Sequence, residues 1–489
     1  MESILGRFED VKGRVDEVLQ RGRTLQEKLR AYSTLIKSIA FQGKKNDAAS
    51  TAIAVLGCLG ESFPSTPNES TVQEELVKTQ AMLGAKKQDD ILNMKLMQDA
   101  DKREVMKLLA IAFQCDYAGN RTYVPLLLCR MVQLSLTFGL SRESAMAFAF
   151  YGFLISGFLN DRDIGSRFGK LALAMLDKFH KGECLVWVYG AVYGFISNWT
   201  DPIQASLPCL KHAVDVGLLT GDTEAAMLSA HLYVGTALHS GYQLEKLMDE
   251  TNVYAKQMLE YNQNLTHTLN APLRQTILNL LGRSANPVKL VGDEMNEDFL
   301  LQSAEENSHE VLRSMISLFR MWLAYLFGEY HLAAETAEKN QDFGEKTALS
   351  RFDPVCCHTF YNGLTALILA RKEGQSKWTS TIESTTRRME VLSSSSQWNC
   401  QHKLELMKAE YAYLEGNHSE SANLYESAAK LAEKHHFIHD QALSLERAGM
   451  FYLENGNDTA ASIMFEKSFS CYTKWGAYSK AAHLKRLYL

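Results

Sequence analysis

Small and apolar residues recur along this chain at spacings of three and four, the mark of a helix with one buried face, and the same face is written more than once. The clearest pair is "EGNHSESANLYESAAKLAEKHHF", from Glu415 to Phe437, and "NGNDTAASIMFEKSFSCYTKWGA", from Asn455 to Ala477. In both, Gly-Asn (Gly416-Asn417, Gly456-Asn457) precedes small residues, then an aromatic, then another small residue. Superposed by a shift of about forty residues, Ser421, Tyr425, Ala428 and Ala432 fall on Ala461, Phe465, Ser468 and Tyr472. Each set lies on one helical face, so the small members are expected where helices touch and the aromatics where they fill the gap to the next hairpin. Gly-Asn marks the turn: Gly accepts the left-handed backbone that ends a helix, and Asn can cap the next one.

The same word returns in "GEYHLAAETAEK" (Gly328 to Lys339), which follows the apolar "MISLFRMWLAYLF". It returns again in "TGDTEAAMLSAHLYVGTALHSGYQLEKLMDETNVYAKQM", where Gly221-Asp222 and Ser240-Gly241 mark the turns. "SRESAMAFAFYGFLISGFLNDRDIGSRFGKLALAMLDKF" and, more faintly, "AYSTLIKSIAFQGKKNDAASTAIAVLGCL" follow the same plan. Helix-turn-helix words at this period predict an all-α superhelical solenoid of at least six antiparallel hairpins, with no sheet of three or more strands. Proline, the strongest helix breaker, occurs eight times and never after Pro354. Three stretches interrupt the rhythm: 61–72, 281–310 and 393–398. The expected organisation is therefore N-terminal helices with a first hairpin (1–60), a connection (61–120), a first half of repeats (121–280), an irregular insert or linker (281–310), and a second half with a C-terminal capping helix (311–489).

The stretches "GLLTGDTEAAMLSAHLY" (217–233), "YLFGEYHLAAETAE" (325–338), "HKLELMKAEYAYLEGNHSESANLYESAAKLAEKHHFIHDQAL" (402–443) and "CYTKWGAYSKAAHLKRLY" (471–488) carry a resemblance, joined by "LGESFPS" (59–65). From about Leu140 onward the chain resembles the TPR-like helical-repeat region that follows the AAA/STAND-type ATPase in large signalling proteins. Those proteins combine a serine/threonine kinase-like domain, the ATPase, the repeats, a GAF domain and a histidine kinase. The resemblance implies a sensing or coupling arm. Neither the ATPase nor either kinase is written here, so the chain is read as a separate gene product or as part of a larger polypeptide.

Composition narrows the function classes. At 489 residues the chain exceeds one hydrophobic core. A net charge of −6, with no dense basic block, argues against nucleic acid as a partner. Nine cysteines without a C-x-x-C pair read as a reduced, cytoplasmic chain, and the vicinal Cys356-Cys357 is expected not to face one partner. The Asn-x-Ser/Thr triplets at Asn120 and Asn198 then carry no meaning. The N-terminus is charged from its second residue and lacks the apolar core of a secretory signal. The uncharged runs 144–160 and 185–200 are the shortest that raise a membrane question. The preferred reading is a repeat helix buried on both sides, with Ala145, Ala149, Gly152 and Ser156 allowing close approach.

Candidate chemistry is sparse. "GSRFGKL", Gly165 to Leu171, falls one residue short of a phosphate loop and ends in Leu where a hydroxyl is required. In "HHFIH", His435 and His439 stand four apart, the spacing of a zinc pair, but no further ligand is evident and interaction with a helix C-terminus is the preferred role. Kinase, hydrolase and dinucleotide motifs are absent from the sequence. No catalytic, cofactor or metal residue is assigned. The residues singled out are structural: Gly416, Ser421, Tyr425, Ala428, Gly456, Ala461, Phe465, Ser468 and Trp475. Trp475 is read as packing, with a peptide anchor as the alternative, since aromatics are enriched in interaction hot spots. The expected function is a non-catalytic scaffold whose concave face takes a protein segment or an ATPase/kinase module, in cis or in trans.

Overall fold

The computed structural model describes residues 8–22, 24–84, 86–159, 161–179, 182, 184–307, 309–340 and 351–489. The first seven residues, on which part of the N-terminal reading rests, lie outside that set. Among the described residues the chain is all-α: twenty-four α-helices, with β-pairing only at two isolated bridges. It divides after Val192 into two compact units, each taken by itself below.

The first unit runs through α1 (Phe8–Arg21), α2 (Leu25–Phe41), α3 (Lys45–Cys58), α4 (Glu69–Leu83), α5 (Gln88–Leu92), α6 (Ala100–Ala118), α7 (Val124–Phe138), α8 (Glu143–Leu159), α9 (Arg162–Lys178) and α10 (Leu185–Ala191). The uncharged run at 144–160 is α8, buried continuously from Ser144 to Ser156. A methyl on Gly152 would collide with Phe168 of α9, and one on Gly165 with Ser156. The first glycine of "GSRFGKL", Gly165, is thus a contact point between two helices. "LGESFPS" also has a packing role: the buried Glu61 receives Lys102 at 2.8 Å and Arg130 at 2.5 Å. No described helix is long and apolar enough to cross a membrane.

The second unit contains α11 (Ser206–Thr220), α12 (Thr223–His239), α13 (Leu244–Glu260), α14 (Asn264–Leu281), α15 (Glu297–Glu306), α16 (Glu310–Leu326) and α17 (Tyr330–Lys339), then α18 (Phe352–Glu373), α19 (Thr379–Ser395), α20 (Gln397–Leu414), α21 (His418–Lys434), α22 (Ile438–Glu454), α23 (Asp458–Trp475) and α24 (Tyr478–Tyr488). Six hairpins lie in this unit alone: α11–α12, α13–α14, α16–α17, α18–α19, α20–α21 and α22–α23. The even-numbered helices from α12 to α22 also pack on one another, and α24 returns to α14. They form an inner layer, with the odd-numbered helices outside it. The last helix therefore does more than cap the final repeat: the Ser479 hydroxyl donates to the carbonyls of Asn279 (2.7 Å) and Leu280 (3.0 Å), closing the unit on itself.

The repeated word behaves as its pattern predicts. Gly416 and Gly456 take φ of 79° and 74°, and Gly221 ends α11 with φ of 79°. Asn457 and Asp222 accept from the backbone N–H of Ala460 and Ala225, whereas Asn417 makes no side-chain cap. Ser421, Tyr425, Ala428, Ala461, Phe465 and Ser468 are all buried. The Ser421 hydroxyl donates to the Ala409 carbonyl of α20 at 2.9 Å, and that of Ser468 to the Ala442 carbonyl of α22 at 2.7 Å. Outer helices therefore press small residues directly onto the backbone of the preceding inner helix. Replacing Ala461 with Leu at such a contact is expected to cost about 1 to 3 kcal/mol, whereas the exposed Glu466→Ala should change stability by less than about 0.5 kcal/mol. Chemical denaturation of the two variants distinguishes them, and equal effects would contradict the contact.

Three boundary expectations need correction. The stretch 281–310 is no linker between halves, because the second unit extends through it. Buried amides hold it to α14: the Asn279 amide donates to the Pro287 and Lys289 carbonyls, and Gln275 accepts from the Glu294 N–H. The division falls instead within 185–200, which is not one helix: α10 gives way to a π-helical turn (Val192–Ile196) and a short 3-10 turn (Ser197–Trp199). At 393–398, the serines continue α19 to Ser395 and α20 starts at Gln397, so the expected loop is a corner at Ser396. Serine costs a helix too little to stop one that buries Leu392 and Ser393.

Candidate functional site

The inner layer of the second unit encloses charge. The α22 helix begins with His439 and Asp440 in its first turn, where a carboxylate also favours the helix dipole. Asp440 Oδ2 lies 2.5 Å from the Lys403 ammonium, 2.8 Å from His402 Nε2 and 3.5 Å from His439 Nε2. Burial alone would raise the Asp440 pKa, but His439, Lys403 and His402 together hold the carboxyl far below its usual range. The Lys403 ammonium lies over the Phe437 ring at 4.7 Å. One heptad further along the same two helices, fully buried Glu410 accepts from Arg371 at 2.9 Å and from Arg447 at 2.6 and 3.0 Å. Against the upward push of burial, the two guanidiniums bring its pKa down to about 2. A third pair joins Lys480 of α24 to Glu446 of α22 at 2.6 Å, with the Tyr472 hydroxyl donating to the same carboxylate.

Beside Asp440 lies a cavity of about 20 Å³, bordered by His239, Trp322, Asp353, Lys403, Cys356 and Cys357 among others. That is room for one water-sized molecule. The rings of His239, Trp322 and His439 border it, and Trp475 packs behind them: His239 lies on Trp322 at 5.5 Å, Trp322 is 6.4 Å from Trp475, and Trp475 is 5.2 Å from His439. Across from Asp440, Asp353 is held by Arg351 at 2.7 Å. Both vicinal cysteines border this cavity, while Cys356 is the one that meets a second thiol, that of Cys400, at 3.6 Å.

The candidate residues from the sequence separate here. Trp475 is 1% exposed, and its indole N–H donates to the Tyr242 carbonyl at 3.1 Å. It is a core side chain, not an exposed anchor. His435 and His439 do not share a helix: His436, with φ of 63°, separates α21 from α22. The His435 ring stacks on Trp398 at 4.3 Å, with Nδ1 3.0 Å from the Trp398 carbonyl oxygen, rather than serving its own helix end. Among the described residues no group of three or more potential ligands is arranged to hold a metal ion. Lys403, Glu410, Asp440 and Arg447 were not singled out from the sequence, yet a signal is present. Lys403–Asp440 and Glu410–Arg447 are each 37 residues apart, so opposite charges recur at the repeat offset.

Burial also lowers the pKa of several histidines in this unit, among them His231, His358 and His439 to about 4 and His402 to about 3, from an ordinary 6.5. Each is neutral in the fold, and in the unfolded chain each gains a proton once pH drops below about 6.5. The unfolded state then binds more protons, so stability present above pH 6.5 is lost as pH falls towards 4. The expected loss at pH 5 is on the order of 1 to 2 kcal/mol per buried histidine. Calorimetry from pH 7.5 to 4.5 should show the transition of the second unit moving steadily down, and a flat Tm would contradict the burial of these imidazoles.

No protein-family model matches the chain. A stretch of 190 residues, 37% of the chain, is 25% identical to hybrid signal transduction histidine kinase G of Dictyostelium discoideum, of whose length it covers 5%. Among solved structures, a circular tandem repeat protein with novel repeat topology and enhanced subunit contact surfaces aligns over 99% of this chain and 92% of its own, at 11% identity and a TM-score of 0.17. The fold assignment rests on the helices and their packing. The chain is thus an all-α helical-repeat protein with partial similarity to one histidine kinase.

Proposed function

We propose that this protein is a non-catalytic interaction scaffold, the helical-repeat arm of a kinase- and ATPase-linked signalling system working in the cytoplasm. The carrying observation is where the ionisable groups go. In the second unit the buried carboxylates and cations are engaged with one another between inner helices, which suits a rigid repeat platform. The partial similarity to a histidine kinase supports the signalling context. The partner under this reading is a protein segment or an ATPase/kinase module, in cis or in trans, with no nucleic acid and no membrane insertion. That similarity also favours a second reading, in which the chain is a portion of a larger ATPase or kinase polypeptide; a free-standing adaptor is the remaining form.

The test is calorimetric titration of the purified chain with histidine-kinase and ATPase modules from the same genome, alongside Mg-ATP alone. Saturable binding of a module, with no thermal shift and no hydrolysis on addition of Mg-ATP, is expected. ATP hydrolysis that a point substitution in this chain abolishes would overturn the reading.

A further inference from the structure

Two thiols on neighbouring inner helices meet in this core. Cys356 stands in the second turn of α18 and Cys400 in the first turn of α20, both buried, with Sγ atoms 3.6 Å apart. A disulfide needs about 2.05 Å, so roughly 1.5 Å of closure separates contact from covalent bond. The two sulfurs are not equivalent. Hydrogen bonding from the Cys400 thiol, with the Lys403 ammonium assisting against burial, lowers the pKa of Cys356, whereas burial raises that of Cys400. The adjoining cavity, bordered by Cys356 and Lys403, admits one water-sized molecule. Hydrogen peroxide is the small oxidant nearest to that size.

We propose that Cys356 and Cys400 are an oxidation site, converted by hydroperoxide into an intramolecular disulfide that ties α18 to α20. The Cys356 sulfur attacks one peroxide oxygen; an S–O bond forms, the O–O bond breaks, and the departing oxygen leaves as water with the thiol proton. The Cys400 sulfur then attacks the Cys356 sulfenic acid; the S–S bond forms, the S–O bond breaks, and the second water leaves with the Cys400 proton. Two thiols are oxidised and one peroxide is reduced. Cys357, one residue away and with its pKa raised by burial, is left out. The cross-link closes a loop of 44 residues of sequence separation and fixes the two helices that carry Arg371, Lys403 and Glu410. This site stands whether or not the chain serves as a scaffold, since it depends only on the packing of α18 against α20.

The experiment treats the reduced, folded protein with hydrogen peroxide, blocks residual thiols with N-ethylmaleimide in denaturant, and maps tryptic peptides without reduction. The expected product joins the peptide carrying Cys356 to the one carrying Cys400, forms equally in Cys357→Ser, and raises the Tm of the second unit. In Cys400→Ser, whose hydroxyl can still donate to the Cys356 sulfur, the reaction should stop at a dimedone-trappable sulfenic acid on Cys356, and in Cys356→Ala neither product should form. A Tm scan of each reduced variant confirms that it is folded, and the exposed Cys58 reports that oxidant was present. Free Cys356 and Cys400 after Cys58 is fully oxidised, or a cross-link through Cys357, would overturn the assignment.

Discussion

Replacing Glu410 with Ala is expected to destabilise the second unit by about 3 to 5 kcal/mol, because it leaves the buried Arg447 guanidinium without a counter-charge and takes from the partly buried Arg371 its nearer carboxylate. Arg371 of α18 and Arg447 of α22 converge on this one carboxylate of α20. Its low pKa measures how strongly they favour the anion. The ion triad as a whole contributes much less than that figure, since desolvating three charges offsets most of their attraction. Its replacement by Met at all three positions should therefore recover most of the loss. Urea denaturation monitored in the second unit tests both halves: a large drop in midpoint for the single substitution and a much smaller one for the triple. A single variant within about 0.5 kcal/mol of the parent would mean that Arg447, like Arg371, reaches water.

Trp475→Ala is expected to cost about 3 to 5 kcal/mol, the range for deleting a buried aromatic. The ring fills space between Trp322 and His439, and its N–H satisfies the Tyr242 carbonyl, so the deletion removes packing and orphans an acceptor together. The size of the effect separates two roles. A core tryptophan lowers stability and alters protection in α12 and α13 on either side of Tyr242, whereas a surface anchor would leave stability unchanged and weaken only partner binding. Thermal denaturation with near-ultraviolet circular dichroism reads the first outcome directly.

The hairpins were legible in the sequence because their determinants are local. Gly416 and Gly456 need only a left-handed turn, and Ser421 or Ala461 need only be small where a helix crosses. The second unit's inner layer was less legible, since its partners come from helices far apart in the chain. Ser479 meeting Asn279 is a contact over 200 residues that no periodicity announces. The polar core lies between these cases. Lys403 and Glu410 read as ordinary charges on a helix, and only alignment with Asp440 and Arg447 one repeat later reveals complementary signs. The tightness of Ser396 misled in the other direction: four serines look like a loop until the burial of their neighbours is known. Spacing alone pairs His439 with His435, but the left-handed backbone at His436 turns the chain between them.

The central claim is that inner helices of successive hairpins share one buried polar core in the second unit. Native-state hydrogen exchange tests it most directly, because opening a shared core exposes its helices as one cooperative group. Amides of α18, α20 and α22, including those from Ala442 to Phe451, should be the slowest of that unit, and Glu410→Ala should lower their protection together. Protection of α22 that is no greater than that of the outer helix α23, and untouched by the substitution, would contradict it.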